Sequence, residues 1–424
     1  MPPATDQIFD VIIVGSGPAG TATALQLCRR DPAWARRILL LDRAVHPREK
    51  LCGGGVTHYG EEALAELGLT VEPRFFTVRE VRLVHRGLSY LIRGNPAFRI
   101  VRRDEFDHWL VRETRAKGVT INEGESLRGL SIVSDEVSGD AGPTESEASQ
   151  LIRVETDRAT YRARVVVGAD GSKSLVRRLA GFSETSAPTH APVAGNLARP
   201  MAGNLARLVE VLTPEDRGTQ PEFREHRAVF DFSRMTDGLQ GYYWDFPSLI
   251  EGSAFMNRGL FDSRIRPERP RADLVPELAA ALKQRDRNLD DCELKGHPIH
   301  WFDPRASLAK PRLLLVGDAA GVDPLFGEGI AFAIAYGGPA ADAIVDAFAR
   351  DDFTFADYPA RIMSRPVFRH LRLRVRLARI AYCIRSPWFV NFCWRIAKLA
   401  VRFTPWRSFN YVPTSARAFP RESD

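Results

Sequence analysis

The stretch that most constrains the fold lies near the start of the chain, where a short apolar run meets three spaced glycines. Residues 11–14 ("VIIV") are apolar and β-branched, which is typical of a buried parallel strand. Gly15, Gly17 and Gly20 follow in the pattern G-x-G-x-x-G, and "TATALQLCRR" then predicts a helix. A second apolar run, "ILLLD", ends in Asp42, 22 residues after Gly20. This order of elements predicts a Rossmann-type dinucleotide-binding unit.

Each glycine of this unit has its own physical role. The first allows a tight turn, the second lets the backbone approach a pyrophosphate, and the third lets the helix pack closely on the strand. The terminal acid is placed to bond the ribose hydroxyls. The alternative, an ordinary glycine-rich turn, is less consistent with the ordered strand, helix, second strand and acid. The residues of this unit that we expect at the cofactor are Gly15, Gly17, Pro18, Ala19, Gly20, Asp42 and Arg43.

Two later segments repeat the design of a buried strand that runs into a glycine-rich turn. In "ARVVVGADGSKSLVRRLAG" the strand is residues 165–167, and a Gly-Ala-Asp-Gly turn follows it. In "PRLLLVGDAAGVDPLFGEGIAFAIAYGG" the strand is residues 313–316, and a helix opens near residues 327–330. A chain with a single nicotinamide site would not need these segments.

The three motifs in this order resemble the FAD-binding pattern of the para-hydroxybenzoate hydroxylase superfamily. Within it, "KLCGGGVT" (residues 50–57) and "GYYWDFP" (residues 241–247) resemble the geranylgeranyl reductase family, which has a Cys-Gly-Gly segment and a Tyr-x-Trp-x-Phe-Pro segment at these places. The resemblance covers about residues 8–350.

The resemblance implies roles for several residues at FAD. Asp318 would hold the ribityl chain, Asp170 would be a second acid at the dinucleotide, and the helix near Gly327 would direct its N-terminal N–H groups at the flavin. Arg103 matches an arginine near the phosphates or the ribityl chain, although Arg102 suits that place equally and a solvated charge at a helix start is the alternative. The further residues expected at the cofactor are Cys52, Gly53, Arg103, Asp170, Asp318, Gly327, Gly329 and Ile330.

The Cys-Gly-Gly segment lies beside the flavin ring in such proteins, so bare glycines would leave the face of the ring open. Cys52 would be a soft contact at the flavin edge, or else a small packing residue. The aromatic residues of "GYYWDFP" would line an apolar pocket, or else form core. The residues that we expect to take part in the reaction are Cys52, Gly53, Gly54, Tyr242 and Trp244.

The predicted fold class is α/β, with three parts. Residues 8–75, 101–185 and 301–350 are expected to form a discontinuous FAD-binding domain. Residues 76–100 and 186–300 are expected to form an inserted antiparallel sheet that binds the substrate, with a helix at 274–283 and an acidic exposed loop at 134–150. Residues 351–424 are expected to form a basic helical region.

Cysteine and histidine spacing and the N-terminal sequence bear on the cellular compartment and on metal binding. The five cysteines are not spaced as metal ligands or as a disulfide framework, which is typical of reduced thiols. His297 and His300 have no third ligand nearby in the sequence, so no metal is predicted. The N-terminus has neither the basic nor the apolar region of a signal peptide, and no apolar run approaches a spanning helix of about 20 residues. A cytoplasmic location is expected.

The C-terminal region is basic without any acidic residue between Asp357 and Glu422. On a helix, one cationic stripe is predicted, and it consists of Arg365, Arg369, Arg372, Arg376 and Arg379. A second stripe follows among the apolar residues after Pro387. This pattern favours peripheral attachment to the inner face of a membrane, and a helical cap on the fold is the alternative. No nucleic-acid motif accompanies the charge.

The function that these features favour is an FAD-dependent reduction of carbon–carbon double bonds in an isoprenoid lipid. The alternative is a flavin monooxygenase acting on an aromatic or protein-bound substrate, and a halogenase fits less well because Tyr242 and Phe246 depart from its motif. A flavin-carrying adaptor without activity is a third class. NAD(P)H, another external donor or an electron-donor protein would supply the electrons.

Overall fold

Two β-sheets and the helices packed on them make up the computed structural model, which describes residues 4–134, 150–182, 204–384 and 386–403. The strands are β1 (Ala4–Val14), β2 (Ile38–Asp42), β3 (Gly55–Val56), β4 (Phe75–His85), β5 (Leu88–Val101), β6 (Thr120–Glu123), β7 (Leu127–Ser134), β8 (Gln150–Thr156), β9 (Thr160–Gly168), β10 (Leu205–Pro214), β11 (Arg227–Asp231), β12 (Gly241–Ile250), β13 (Ser253–Asp262), β14 (Lys295–His300), β15 (Ala309–Lys310) and β16 (Leu313–Leu315). The helices are α1 (Pro18–Arg30), α2 (His58–Ala65), α3 (Arg103–Ala116), α4 (Leu175–Leu179), α5 (Pro221–Arg224), α6 (Leu274–Lys283), α7 (Ile330–Ala335), α8 (Gly337–Arg350), α9 (Tyr358–Ser364), α10 (Pro366–Ala381) and α11 (Pro387–Phe403).

The first sheet has a parallel centre, as the continuous apolar runs predict for strands that are buried on both faces. Its order is β15-β16-β9-β1-β2-β6, and the β7–β8 hairpin extends it from β9. Val11 in β1 lies opposite Ile38 on one side and Val165 on the other. The three strands predicted before glycine-rich turns are therefore neighbours, and their turns meet at one edge of the sheet.

The second sheet has the order β14-β10-β13-β12-β11-β4-β5-β3 and is antiparallel except for one pair. β4 and β11 run parallel, with Arg227 opposite Glu80. This pair joins the strands of residues 75–101 to those that come after residue 204. Gly55 and Val56, which were expected in the first domain, pair with β5 in the second sheet. The Cys-Gly-Gly segment thus crosses from one sheet to the other.

Helix α1 packs on the first sheet, and α7 and α8 pack on α1. A side chain at Gly337 would come within 2.7 Å of the Ala22 backbone, so this glycine permits the close approach of α8 to α1. The continuous helical stretch Ile330–Arg350 has the length and apolar character of a membrane span, but 78% of it is buried in the fold. It is a core helix of the first domain.

The predicted α/β fold class is confirmed, and α6 spans the predicted residues 274–283. The predicted cationic helix is α10, whose buried face carries Phe368, Leu371, Val375 and Ala378. Three predictions lie wholly or partly outside the described residues. They concern the acidic loop at 135–149, the first part of the inserted domain at 186–203, and the basic residues at 385 and 404–424.

Candidate active site

The loop between β1 and α1 has the form of an anion site. Gly15 has a φ of 109°, and a side chain there would overlap the carbonyl of Ala169. Gly17 begins α1 without a side-chain cap, so the first amides of the helix remain available. The nearest group to a Cβ at Gly17 would be the guanidinium of Arg48, 3.4 Å away. Free amides at a helix N-terminus beside a guanidinium suit a pyrophosphate.

Asp42 lies at the end of β2 as predicted, but it bonds the glycine loop itself. The backbone N–H and the hydroxyl of Ser16 donate to Asp42 Oδ2 at 2.7 and 2.6 Å, and the amide of Ala44 donates to Oδ1 at 2.8 Å. This buried carboxylate therefore fixes the shape of the loop, and its contact with a ribose stays a prediction. Arg43 is exposed beside it.

A buried ion-pair cluster supports this loop from α3. Arg103 donates to both oxygens of Asp107 at 2.8 and 2.9 Å, and Arg48 donates to Asp107 at 3.0 Å. Burial alone would raise the pKa of Asp107, but Arg103 outweighs it and holds that pKa below its usual value. Arg102 instead pairs with Asp104 at 3.3 Å. Of Arg102 and Arg103, which the sequence left open, Arg103 is the one held inside the fold. The arginine nearest Gly17 is a third one, Arg48.

The two predicted acids of the later turns have different environments. Asp170 accepts hydrogen bonds from Ser174 and from the amides of Leu175 and Val176, so it caps α4. Burial raises the pKa of Asp170, and these bonds oppose the rise. Asp318 accepts one bond, from Ser172 at 2.9 Å.

The start of α7 faces Asp318. Gly329 precedes the helix, and a Cβ there would lie 3.7 Å from the second carboxylate oxygen of Asp318. Ile330 is the buried first residue of the helix. Gly327 has a φ of 66°, and its position lies against the ring of Phe261. The carboxylate and the helix start therefore converge as the resemblance implies.

The Cys-Gly-Gly segment is held from both sides by the second sheet. The Cys52 amide donates to Glu210 Oε1 at 3.2 Å, and the Cys52 carbonyl accepts from the Asn257 amide at 3.4 Å. Asn257 in turn accepts from the Trp244 indole at 2.8 Å. Burial raises the pKa of Glu210, and the amide of Cys52 and then Asn257 oppose the rise. Glu210 Oε2 is buried, and it has no hydrogen-bond partner among the residues that the structure describes.

The three glycines have different surroundings, and their place at the face of the flavin ring stays a prediction. A Cβ at Gly53 would lie 3.0 Å from the ring of Phe246 and 3.7 Å from the indole nitrogen of Trp244. Gly54 has a φ of 76°, and a Cβ there would overlap the carbonyl of Val101. Gly55 has only ordinary contacts around its position. Gly53 is therefore the glycine that leaves room next to the rings of Trp244 and Phe246.

The aromatic residues of β12 alternate between two faces of the second sheet. Tyr242, Trp244 and Phe246 are buried on the face toward the glycine segment, whereas Tyr243 bonds Asp245 at 2.7 Å. The Tyr242 hydroxyl donates to the carbonyl of Phe326, in the loop before α7. Burial, and then the acid Asp323, raises the pKa of Tyr242 well above its usual value, so this hydroxyl stays protonated.

Lys50 and His297 form a contact that sequence reasoning did not predict. The Lys50 ammonium nitrogen meets Nε2 of His297, which lies in β14. Burial, and then the charge of Lys50, lowers the pKa of His297 to about 4, so this histidine is neutral near pH 7. Within the described part of the chain, no group of three His, Cys, Asp or Glu side chains could hold a metal ion.

A second buried ionic cluster joins the C-terminal region to the loop before α7. Arg374 of α10 donates to Asp323 at 2.7 Å and to Glu328 at 2.5 Å, and Glu328 also accepts from Thr57. Burial alone would lower the pKa of Arg374, but Asp323 and then Glu328 raise it above its usual value. Arg374 lies outside the cationic stripe predicted for this helix. Its role is to fix the loop that leads to α7.

Residues 9–210 match the FAD binding domain family. The fold is that of the para-hydroxybenzoate hydroxylase superfamily of FAD-dependent oxidoreductases, as predicted. A menaquinone reductase of Mycolicibacterium smegmatis is 26% identical over 78% of this chain and 75% of its own length. The predicted cofactor, FAD, is confirmed.

Solved structures of this oxidoreductase fold include proteins named for different reactions. A geranylgeranyl bacteriochlorophyll reductase-like protein from Thermoplasma acidophilum has a TM-score of 0.67 at 20% identity, covering 89% of this chain and 87% of that one. The p-nitrophenol 4-monooxygenase PnpA from Pseudomonas putida has a TM-score of 0.66 at 16% identity, covering 94% and 95%. The fold is shared by both, so the reaction depends on the site.

The arrangement around the two glycine loops fits FAD. The amides at Gly17 and the guanidinium of Arg48 suit the pyrophosphate, and Asp318 has one carboxylate oxygen that faces the start of α7. The roles of the individual residues at FAD stay predictions. Among the residues that the sequence pointed to, the structure brings Cys52 and Gly53 together with Trp244, and it places Arg43 at the surface.

Sequence reasoning missed Glu210 and Asn257, although a signal was present. Glu210 lies between two valines in "LARLVEVL", and Asn257 follows Phe255 and Met256 in "SAFMNRGLFD". A polar group in such a strand needs a partner, because a buried polar group without one is destabilising. The Cys52 amide is a partner of Glu210, and the Cys52 carbonyl is a partner of Asn257 beside the Trp244 indole. Arg48 had no such signal beyond its position just before the Cys-Gly-Gly segment.

Proposed function

We propose that the protein reduces carbon–carbon double bonds of an isoprenoid lipid of the geranylgeranyl type. The observation that carries the proposal is the approach of Gly53 to Trp244 and Phe246, 3.7 and 3.0 Å from a Cβ at that glycine. An isoprenoid chain has no hydrogen-bonding groups along its length, so it is bound by apolar area alone. Aromatic rings opposite bare backbone provide such area without polar groups that would be left unpaired.

The residues of this chain would divide the work as follows. Arg48 and the loop at Gly17 would hold the pyrophosphate of FAD, and Asp318 would hold the ribityl chain. Bound FAD supplies hydride transfer to carbon. Trp244 and Phe246 would orient the alkene and exclude water.

Saturation of a double bond also consumes a proton, and Glu210 is placed to store it. Burial raises the pKa of Glu210, so this carboxyl keeps its proton to higher pH than an ordinary glutamate. Its Oε1 accepts from the Cys52 amide, so a proton held by this carboxyl would be on Oε2, which is buried without a partner among the described residues. Such a proton would lie beside the segment where the alkene would bind.

The relative named menaquinone reductase supports a reduction, since it is 26% identical and matches over most of both chains. The proposal includes a cytoplasmic location and an electron supply from NAD(P)H or a donor protein. A flavin monooxygenase acting on an aromatic or protein-bound substrate is the competing outcome, because the fold also occurs in a monooxygenase.

The experiment follows flavin reoxidation in the absence of oxygen. The purified protein is reduced with dithionite, and a geranylgeranyl lipid or its fully saturated counterpart is added. Reoxidation by the unsaturated lipid alone supports the proposal. A flavin that stays reduced with both lipids until air enters would contradict it.

A further inference from the structure

Helix α10 buries one face and leaves another uncovered. Its inner face packs on the fold through Phe368 and Leu371 and two residues further along. Leu373, Leu377 and Ile380 repeat at helical spacing on the outer side, and all three are exposed. The inner face already packs α10 on the fold, so the packing of the helix does not require this outer row of apolar side chains.

Helix α11 extends this uncovered surface. The exposed large apolar residues of the two helices are Leu373, Leu377, Ile380, Trp388, Phe389, Phe392 and Ile396, between 41% and 73% exposed. They are seven of the 14 exposed large apolar side chains in the described part of the chain. We name this surface, with the exposed arginines beside it, the α10–α11 face. A concentration of this kind marks an interaction site.

The arginines at the start of α10 and along it differ in their partners. Arg365 and Arg374 form salt bridges with acids of the fold. Arg369, Arg372 and Arg376 are exposed, and none of them forms a salt bridge with any residue that the structure describes. Since the sequence has no acid between residues 357 and 422, the positive charge of the face is not neutralised from its own helices.

We infer that the α10–α11 face docks on an anionic lipid surface. Exposed tryptophan and leucine suit the boundary between headgroups and acyl chains, and arginines beside them suit acidic headgroups. A second copy of the chain is a poorer occupant, because two such faces would bring like charges together without acids on the described helices to pair them. A nucleic acid would leave the apolar row without a partner.

The inner side of α11 connects this face with the candidate active site. Trp394 stacks on His85 with ring centroids 5.1 Å apart and meets Phe232 at 5.5 Å. Phe232 lies 5.2 Å from Tyr242, which lies 6.3 Å from Trp244. A series of aromatic rings thus runs from the face to the glycine segment. On the proposed function, this series of contacts connects the membrane side of the protein with the segment at Gly53.

The test measures sedimentation of the full-length, FAD-bound protein with vesicles of phosphatidylcholine, alone or mixed with phosphatidylserine. Binding should rise with phosphatidylserine and fall with added salt. The triple variant Arg369→Gln, Arg372→Gln, Arg376→Gln should bind the anionic vesicles on the order of 100-fold more weakly, since each charge contributes about fivefold. A matched control removes three exposed arginines elsewhere that form no salt bridge within the described structure, and it should bind normally. The control changes are Arg36→Gln, Arg178→Gln and Arg224→Gln.

A second variant addresses the apolar row. Leu373→Gln, Leu377→Gln and Trp388→Gln together should weaken binding while flavin absorbance and elution volume stay unchanged. Native protein that ignores anionic vesicles, or elutes as a dimer that the apolar variant converts to a monomer, would overturn the inference. Turnover of a detergent-solubilised isoprenoid is measured in parallel. Variants that lose vesicle binding but retain turnover support the docking face independently of the chemistry, whereas native protein that binds vesicles but shows no turnover refutes only the proposed function.

Discussion

The substitution Arg374→Met removes the cation that joins α10 to the loop before α7. The guanidinium is 18% exposed, and its partners Asp323 and Glu328 are 0% and 7% exposed, so the cluster is buried. Breaking a buried ion pair from one side lowers the free energy of unfolding by about 3–5 kcal/mol, against about 0–1 kcal/mol for an exposed pair. Asp323 keeps amide bonds from Leu325 and Phe326, so we expect the lower end, about 3 kcal/mol.

The loss should depend on pH in a defined direction. Burial raises the pKa of Asp323 in the folded protein even with Arg374 present, and without Arg374 it should rise further. A carboxyl whose folded pKa lies above its unfolded pKa stabilises the fold at low pH, and that stabilisation is lost as pH rises through the folded pKa. The deficit of the variant should therefore be smaller at about pH 5 than at about pH 8.

The assay is urea unfolding of both proteins at the two pH values, followed by tryptophan fluorescence. Arg376→Met is the matched control, because Arg376 lies on the same helix, is exposed and forms no salt bridge within the described structure. The control should change the free energy of unfolding by less than about 0.5 kcal/mol. A variant of Arg374 that is as stable as this control, or whose deficit shrinks as pH rises, would refute the reasoning.

Three further predictions concern the cofactor and the glycine segment. Gly17→Val or Asp318→Ala should reduce flavin absorbance of the purified protein, because each removes space or a hydrogen bond at FAD; full retention would argue against the assigned roles. Gly53→Ala should lower lipid turnover at least about tenfold with FAD still bound, because the added Cβ meets the rings of Trp244 and Phe246. Gly54→Ala should instead lower the yield of folded protein, because Gly54 has a φ of 76°. If the two variants behaved alike, the separate reasons given for the two glycines would be contradicted. Glu210→Gln keeps an acceptor for the Cys52 amide, so the variant should fold and bind FAD. It should flatten the pH profile of turnover, because glutamine cannot supply a proton. An unchanged pH profile would exclude Glu210 as the proton donor.

Much of the first sheet was predictable because strands buried on both faces are continuous apolar runs, which stand out in a sequence. β1, β2, β9 and β16 lie where those runs are, and β1, β9 and β16 are each next to a glycine-rich turn. The face of β12 was predictable in part, since alternation puts Tyr242 and Trp244 on one side. The residues that surround these rings were not predictable, because they belong to other strands.

The contacts around Cys52 show why the rest stayed hidden. Glu210 and Asn257 lie far from Cys52 in the chain and meet it only once the second sheet has formed. The need for glycine at position 54 arises in the same way, because the carbonyl of Val101 approaches through the pairing of β3 with β5. Local patterns carry no information about such distant approaches.

The C-terminal region shows a similar division. Helical spacing predicted an arginine stripe from local positions alone, and Arg369, Arg372 and Arg376 of that stripe are exposed. The spacing did not show that Arg365 pairs with Asp342, or that Arg374 is buried with Asp323 and Glu328. Charge alone does not distinguish a solvated arginine from one that is buried with acids.

The measurement that tests the central claim most directly is the mass of the lipid after anaerobic incubation with the dithionite-reduced protein. Reduction at the segment beside Trp244 and Phe246 predicts a gain of two hydrogens for each saturated bond, and Gly53→Ala should abolish most of that gain. A lipid of unchanged mass, together with a product that gains one oxygen only after air is admitted, would contradict the account and favour a monooxygenase.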